Sequence, residues 1–225
     1  MTTPIKPARG ARHRVQRLPE RAAYDRAAVH AVLDAGWIAH VGFVVDGQPF
    51  VIPMLYARVD DTILLHGSTA SRLQKTLAQG IPVCLSVTHV DGLVLARSHF
   101  HHSANYRSVV CFGTAHAVTD PAEKSTLLAR FVDAIVPGRA AETRAADKKE
   151  FNATQLLRMP IADASAKVRS GPAKDDADDR DPLVWAGVVP MHTAYAAPIA
   201  SDDVQAGVAL PASVRNLLHP RETDA

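Results

Sequence analysis

Between Trp37 and Leu65, apolar and polar residues alternate in short runs separated by tight-turn pairs, and this constrains the fold more than any other stretch. Trp37, Ala39, Val41, Phe43 and Val45 share one face of an extended run whose other face holds Ile38, His40 and Gly42. Asp46-Gly47 is a pair that a two-residue hairpin turn favours, because both central positions need positive φ. The chain returns over 48–58 with Phe50, Ile52, Met54 and Tyr56 on one face, and Asp60-Asp61 leads into Ile63-Leu64-Leu65. A period of two places each apolar set on one side of a sheet. The domain therefore opens as antiparallel strands.

Further strand patterns follow at 82–90 and, after an Asp91-Gly92 hairpin turn, at 93–96. A long strand is expected over 106–118, with Gly113 as a bulge or close-approach point. Shorter ones are expected at 156–162, 165–169 and 183–189. Helices are few. One carries Ala28, Val29, Val32 and Leu33 on one face and stops at Gly36; a second is expected over about 69–79. A third has the strongest start signals in the chain, with Asp120 as cap, Pro121 at the first position and Glu123 closing a capping box. Its apolar face is Leu127, Leu128, Phe131, Val132 and Ile135, and Pro137-Gly138 ends it. Residues 139–150 read as a charged loop or helical extension, and a short helix is expected near 211–218. A parallel α/β sheet would need a helix after most strands. The expectation is a mainly β domain with peripheral helices, a closed or split β-barrel. It would span 20–190, between a basic arm at 1–19, its first dozen residues a loose tail with Pro4 and Pro7, and a Pro- and Ala-rich extension at 191–225.

At 225 residues with a net charge of +2, the chain has no general attraction to polyanions. The charge is uneven. Arg9, Arg12, Arg14, Arg17 and Arg21 crowd the start, while Asp175, Asp176, Asp178, Asp179 and Asp181 crowd one loop. Such arms are more often solvated, or laid across a partner subunit, than bound to nucleic acid. No signal-peptide pattern is present, and no apolar stretch approaches the roughly 18–20 residues that span a bilayer. Cys84 and Cys111 lie in apolar strand patterns far apart in sequence. They read as small buried hydrophobes rather than a disulfide or metal pair, which points to a cytoplasmic protein.

Residues 62–72 suggest a binding site. The apolar run ends at His66, Gly67 permits a tight turn, and Ser68 is a good N-cap ahead of the Leu73/Leu77 spacing. Helix starts carry unpaired N–H groups and attract anions. Ser68, Thr69 and Ser71, with the forked guanidinium of Arg72, would complete a phosphate cradle. An ordinary capped helix fits the same residues equally well.

The wider pattern resembles a known family. Its elements are Pro53-Met54-Leu55-Tyr56, His66-Gly67-Ser68-Thr69-Ala70-Ser71-Arg72, Asn105-Tyr106-Arg107-Ser108-Val109-Val110 with Phe112-Gly113, Lys167-x-Arg169-x-Gly171-Pro172, and Trp185-Ala186-Gly187. In this order they are similar to the pyridoxamine 5′-phosphate oxidase-related FMN-binding split barrels, in particular the subgroup with the 5-nitroimidazole resistance proteins. The resemblance covers roughly 20–190. It implies an FMN-binding split β-barrel and a homodimer with flavin sites at the interface. The backbone of Met54 and Leu55 would run along the polar edge of the isoalloxazine, Ser71 and Arg72 would hold the phosphate, and Ser108 would stand near the flavin. The implied cofactor-binding set is thus Pro53, Met54, Leu55, Tyr56, His66, Gly67, Ser68, Thr69, Ser71, Arg72 and Ser108. The implied activity is that of an oxidoreductase, acting on a small aromatic or nitroaromatic substrate stacked on the flavin, with NAD(P)H as candidate reductant. The chain departs from the true oxidases at its end, which reads Leu217-Leu218-His219-Pro220-Arg221, and at Leu73, where they carry lysine. Oxidation of pyridoxamine phosphate itself therefore does not carry over.

Two alternatives stay open: a haem-binding relative, with His66 or the 99–102 loop supplying the ligand, and a flavin module without turnover. His66 is the candidate catalytic residue, or else a hydrogen-bonded positioning group. His99, His101 and His102 lie in one polar loop, but no carboxylate or thiol there completes a ligand set, so no metal is assigned. His40 and His116 read as ordinary strand residues. Tyr56, Tyr106 and Trp185 can stack on a flavin or serve the core. Lys167 and Arg169 share a strand face and either meet a substrate anion or line a solvated edge.

Overall fold

The computed structural model describes residues 11–179 and 183–218. The tail prolines Pro4 and Pro7, with Arg9, Asp181 and residues 219–225, lie outside the described residues. In chain order the elements are β1 (Ala22–Ala23), α1 (Arg26–Asp34), β2 (Ile38–Val45), β3 (Gln48–Val59), β4 (Thr62–Ser68), α2 (Arg72–Leu77), β5 (Pro82–Leu95) and β6 (Ser103–Thr114). They continue with β7 (His116–Ala117), α3 (Pro121–Ile135), α4 (Arg139–Glu142), α5 (Lys148–Ala153), β8 (Thr154–Pro160), β9 (Asp163–Arg169), β10 (Gly187–Pro190) and α6 (Ala212–Leu218). The strands form one antiparallel sheet in the order β1-β9-β6-β5-β2-β3-β4-β8-β7, with β10 pairing β5. This is a split barrel, mostly β with few helices.

Asp46 and Gly47 both adopt positive φ (50° and 75°), and Val45 pairs Gln48 across them, so the hairpin forms as the sequence implies. Inward residues of the strands, among them Ala39, Val41, Leu65, Leu85, Val109, Cys111 and Leu157, make the main core with Val29, Val32 and Leu33 of α1. Each large one contributes about 1.5–3 kcal/mol by leaving water. Tyr56 is buried in this core and its hydroxyl donates to Leu33 O. A second core lies outside the barrel, where Phe131 of α3 covers Leu64, Leu156 and Ala57. Its helix starts on Asp120, which accepts from Glu123 N, while the Glu123 carboxylate turns to Arg158 instead of closing a capping box. Gly113 is the close-approach point: a Cβ there would stand 2.9 Å from Met159 Cγ of β8.

Asp91-Gly92 does not turn the chain. β5 runs through it, and the register against β6 shifts between Val90 and Gly92. The extra residue flips the strand's parity, so that Val83, Leu85 and Val87 are buried before it and Gly92, Val94 and Ala96 after it. A Cβ on Gly92 would meet Val189 O of β10 at 2.9 Å, so close strand approach, not a turn, requires this glycine. The expected helix over 69–79 is also shorter. Ser68 ends β4, and Ser71, not Ser68, is the N-cap of α2. The strand over 106–118 begins earlier, at Ser103, and breaks at Ala115; that over 183–189 reduces to Gly187–Pro190. Among the described residues no helix is long and apolar enough to cross a membrane.

Candidate functional site

The residues singled out in the sequence fall into three settings. The first is the turn between β4 and α2. Ser71 N donates to Ser68 O, Ala70 N donates to Ser68 Oγ (3.1 Å), and Thr69 N is held by Ala153 O. These bonds fold 68–71 into a compact corner with Ser68 and Thr69 exposed and Ser71 half-buried. Gly67 has no room for a side chain because the amide of Gln74 lies against its Cα, Nε2 2.8 Å from where a Cβ would be. Arg72 is exposed, and its guanidinium sits over the Phe50 ring at 4.8 Å. Phe50 in turn stacks on Phe43 at 5.4 Å. No carboxylate pairs Arg72 among the described residues. A guanidinium fixed by an aromatic platform and lacking an acid is available to an anion. Phe50 is the contributor that sequence reasoning missed; its apolar alternation marked it only as core.

The second setting is the outward face of the sheet. Its rows are fixed by register: Pro53, His40, Ser86 and Val110 line up across β3, β2, β5 and β6, with Val51, Gly42, Cys84 and Phe112 beside them. Thr88, Ser108 and Lys167 form a parallel row. This face exposes Ile38, Val44, Val51 and Leu55, an apolar patch around the exposed imidazole of His40. Pro53 and Leu55 therefore point outward, while Met54 is half-buried against the core. Ser108 Oγ donates to Lys167 O, and Lys167 Nζ donates to Arg17 O. Ser108 stands three strands from β3, about 14 Å at the usual strand spacing, so one copy does not bring it to the turn. Arg12 of the basic arm rests on Phe112 and pairs with Asp163, so the arm borders this face.

The third setting is His66. Its side chain points away from the barrel interior and meets Phe131 edge-on at 4.5 Å, under α3. Nδ1 is buried without a partner, and burial lowers the imidazole's pKa, which holds the ring neutral. His66 and the Ser68–Arg72 turn thus adjoin in sequence but face different surroundings.

Other expectations change. Arg169 is buried and binds Asn105 Oδ1, Gly171 O and Pro172 O, so it braces the loop after β9. Tyr56 serves the core, its ionisation pushed well up chiefly by burial. The three loop histidines do not converge: His102 Nδ1 lies 2.8 Å from Ser98 O, and His101 Nε2 lies 3.4 Å from Asp176 Oδ2. Cys84 and Cys111 occupy neighbouring strands but opposite faces, and burial pushes the Cys111 thiol up to about 12. A cavity of about 490 Å³ lies beside the β5 bulge, walled by His89, His192 and the Asp91–Arg107 pair. Arg107 grips Asp91 through Nε and Nη2 at 2.9–3.2 Å and holds its carboxyl below the usual range. It went unread because Asp91-Gly92 looked like a turn.

A family model for pyridoxamine 5′-phosphate oxidase matches residues 25–168. The chain belongs to this family. The fold resembles the FAD and haem binding protein from Mycobacterium smegmatis at 40% identity, covering 88% of this chain and 97% of that one, with a TM-score of 0.85. A flavocytochrome from Azotobacter vinelandii is 39% identical over 92% of this chain and 96% of its own, with a TM-score of 0.86. A protein of the 5-nitroimidazole antibiotic resistance group from Bacteroides thetaiotaomicron shares the fold at 20% identity, covering 65% of this chain and 86% of that one, TM-score 0.56. No curated protein sequence matches the chain.

Proposed function

We propose that the protein is a flavin-binding redox protein that works as a twofold dimer and takes haem as a second group. The observation that carries the flavin reading is Arg72, a guanidinium without an acid partner among the described residues, pinned over Phe50 beside the hydroxyls of Ser68, Thr69 and Ser71. That arrangement suits the phosphate that FMN and FAD both carry on the ribityl chain. The two relatives near 40% identity extend the reading to FAD and to haem. A bound flavin supplies hydride or electron transfer. The chain's own part is to grip the phosphate with Arg72, to set the outward edge of β3 at Pro53 and Leu55 beside the ring, and to keep water off it. Ser108 and the turn join one site only when a second copy brings its β6 across. A small aromatic or nitroaromatic molecule stacked on the ring remains the proposed substrate, with NAD(P)H as reductant.

One histidine suits the haem reading, His40, exposed on an apolar platform; the Nδ1 of His66, the other candidate, is buried beneath α3. The test is a visible spectrum of protein purified and then titrated with FAD, FMN and hemin. Flavin and Soret absorbance at one equivalent each are expected, with the Soret band lost in His40→Ala and kept in His66→Ala. A protein that binds neither group ends the proposal; flavin binding without NADPH oxidation across a nitroaromatic panel would leave a carrier, not an enzyme.

A further inference from the structure

The polar loop after β5 and the aspartate-rich loop after β9 meet in the fold. His99–His101 form one 3-10 turn, with His101 N donating to Ser98 O. Ala177–Asp179 form another, with Asp179 N donating to Asp176 O. Side chains three apart eclipse in such a turn, so Asp176 and Asp179 share one side of theirs. Asp175, its side chain only 4% exposed, anchors the aspartate loop: it accepts from Arg97 N at 3.0 Å and from Arg97 Nη1 at 2.9 Å. Arg97 leads directly into the histidine turn, so this anchor sets the two turns against each other. A ring nitrogen of His101 and one oxygen each of Asp176 and Asp179 then lie within 4.8 Å of one another. The histidine loop holds no acid of its own, and the fold supplies Asp176 from 75 residues away.

A surface ion pair does not account for this arrangement. His101 Nε2 stands 3.4 Å from Asp176 Oδ2, beyond the roughly 2.7–3.2 Å of a good N–H···O bond. Two ligands on one ion, each bonded at about 2.1 Å, stand roughly 3.0–3.5 Å apart, so the spacing is that of a shared metal. Asp179 is exposed, and rotation about its own side-chain bonds closes the third distance. Among the described residues neither Asp176 nor Asp179 pairs with a lysine or arginine, so two like charges converge on one imidazole with no fixed cation between them. That imidazole is largely buried, its side chain 18% exposed. Its nitrogen also sets the group apart from a run of surface acids: calcium and magnesium take oxygen ligands, whereas imidazole suits zinc and the later first-row metals. We propose that His101, Asp176 and Asp179 bind a divalent zinc-class metal ion that staples the aspartate loop to the histidine turn. The two carboxylates balance the ion's charge, and water completes a four-coordinate shell. His102 is no ligand, since its Nδ1 lies 2.8 Å from Ser98 O. The site shares no residue with the Ser68–Arg72 turn or with His40.

The test is calorimetric titration of the full-length, untagged protein with zinc chloride, beside Asp179→Asn, His101→Gln and the control His102→Gln. Hydrogen exchange is followed at 98–102 and 175–179 with and without zinc. One zinc per chain is expected in the wild type and in the control. Each ligand variant should bind zinc more weakly by more than the roughly tenfold that losing an outer-sphere partner costs. Circular dichroism and melting without zinc should be unchanged, because Asp179 is exposed and the Asp175–Arg97 anchor is left in place. Exchange should slow in both segments together when zinc binds, and in neither segment of the variants. Zinc held equally by the wild type and both ligand variants would be an adventitious ion only, on other imidazoles, and overturns the site. So does a wild type that takes up no zinc at submillimolar concentration, or bound zinc that leaves exchange in both segments unchanged.

Discussion

His66 and Arg72 are near neighbours in sequence and opposites in setting. His66 is folded under α3 against Phe131, neutral and half-buried. Arg72 is held in the open on Phe50 with no acid paired to it among the described residues. The strand's alternation produces the difference: Leu64 and His66 face the second core, Ile63 and Leu65 the barrel, and the turn after Ser68 releases the chain to water. One side of the segment packs into the fold, and the other stands open to solvent. The contrast can be broken experimentally.

The largest expected effect is on the closed side. Phe131→Ala removes a ring only 4% exposed and should lower unfolding free energy by about 3–5 kcal/mol. Flavin affinity of the still-folded fraction should hardly change, which a denaturant melt beside a titration will check. Arg72→Ala should do the reverse. Stability should stay within about 0.5 kcal/mol, while loss of a charge-assisted contact should weaken FMN or FAD binding by about 10- to 100-fold. A parallel loss of stability and affinity in either variant would erase the distinction.

A pH series sharpens it further. Burial lowers the folded-state pKa of His66, so the unfolded chain takes up its proton first as pH falls through about 6.5. Stability due to the neutral ring is therefore intact above that pH, declines below it, and levels off beneath the folded-state pKa. Urea midpoints for wild type and His66→Phe should diverge in slope across that window, with the variant flatter. The smallest effect belongs to the platform: Phe50→Leu should cost about 0.5–1 kcal/mol of flavin binding, a few-fold, by freeing the guanidinium.

Much of the fold can be read from the sequence because its signals are local. The Asp46-Gly47 turn, the Asp120 cap and the alternation of β2 and β3 each need only a few adjacent residues. Asp91-Gly92 shows where that reading fails. The pair has the chemistry of a hairpin turn, yet β10 and Arg107, both distant in sequence, hold it as a bulge. Ser68 failed as a cap for a similar reason, since Ala153 O fixes Thr69 N and delays the helix to Ser71. At the candidate site, the Ser68–Arg72 turn was visible as a motif, but not Phe50 beneath it. His66 read as a cofactor neighbour because its sequence context says nothing of the helix that covers it. Asp176 and Asp179 read only as part of an acidic loop, because the imidazole that Asp176 meets lies 75 residues away in sequence.

The central claim is that the open turn with Arg72 recognises a flavin's phosphate. It is tested most directly by titrating wild type and Arg72→Ala with FMN and with riboflavin, which lacks the phosphate. The wild type should prefer FMN by about 100-fold, and the variant should lose at least about tenfold of that preference by losing FMN affinity alone. An Arg72→Ala protein that still prefers FMN to the wild-type extent would contradict the account.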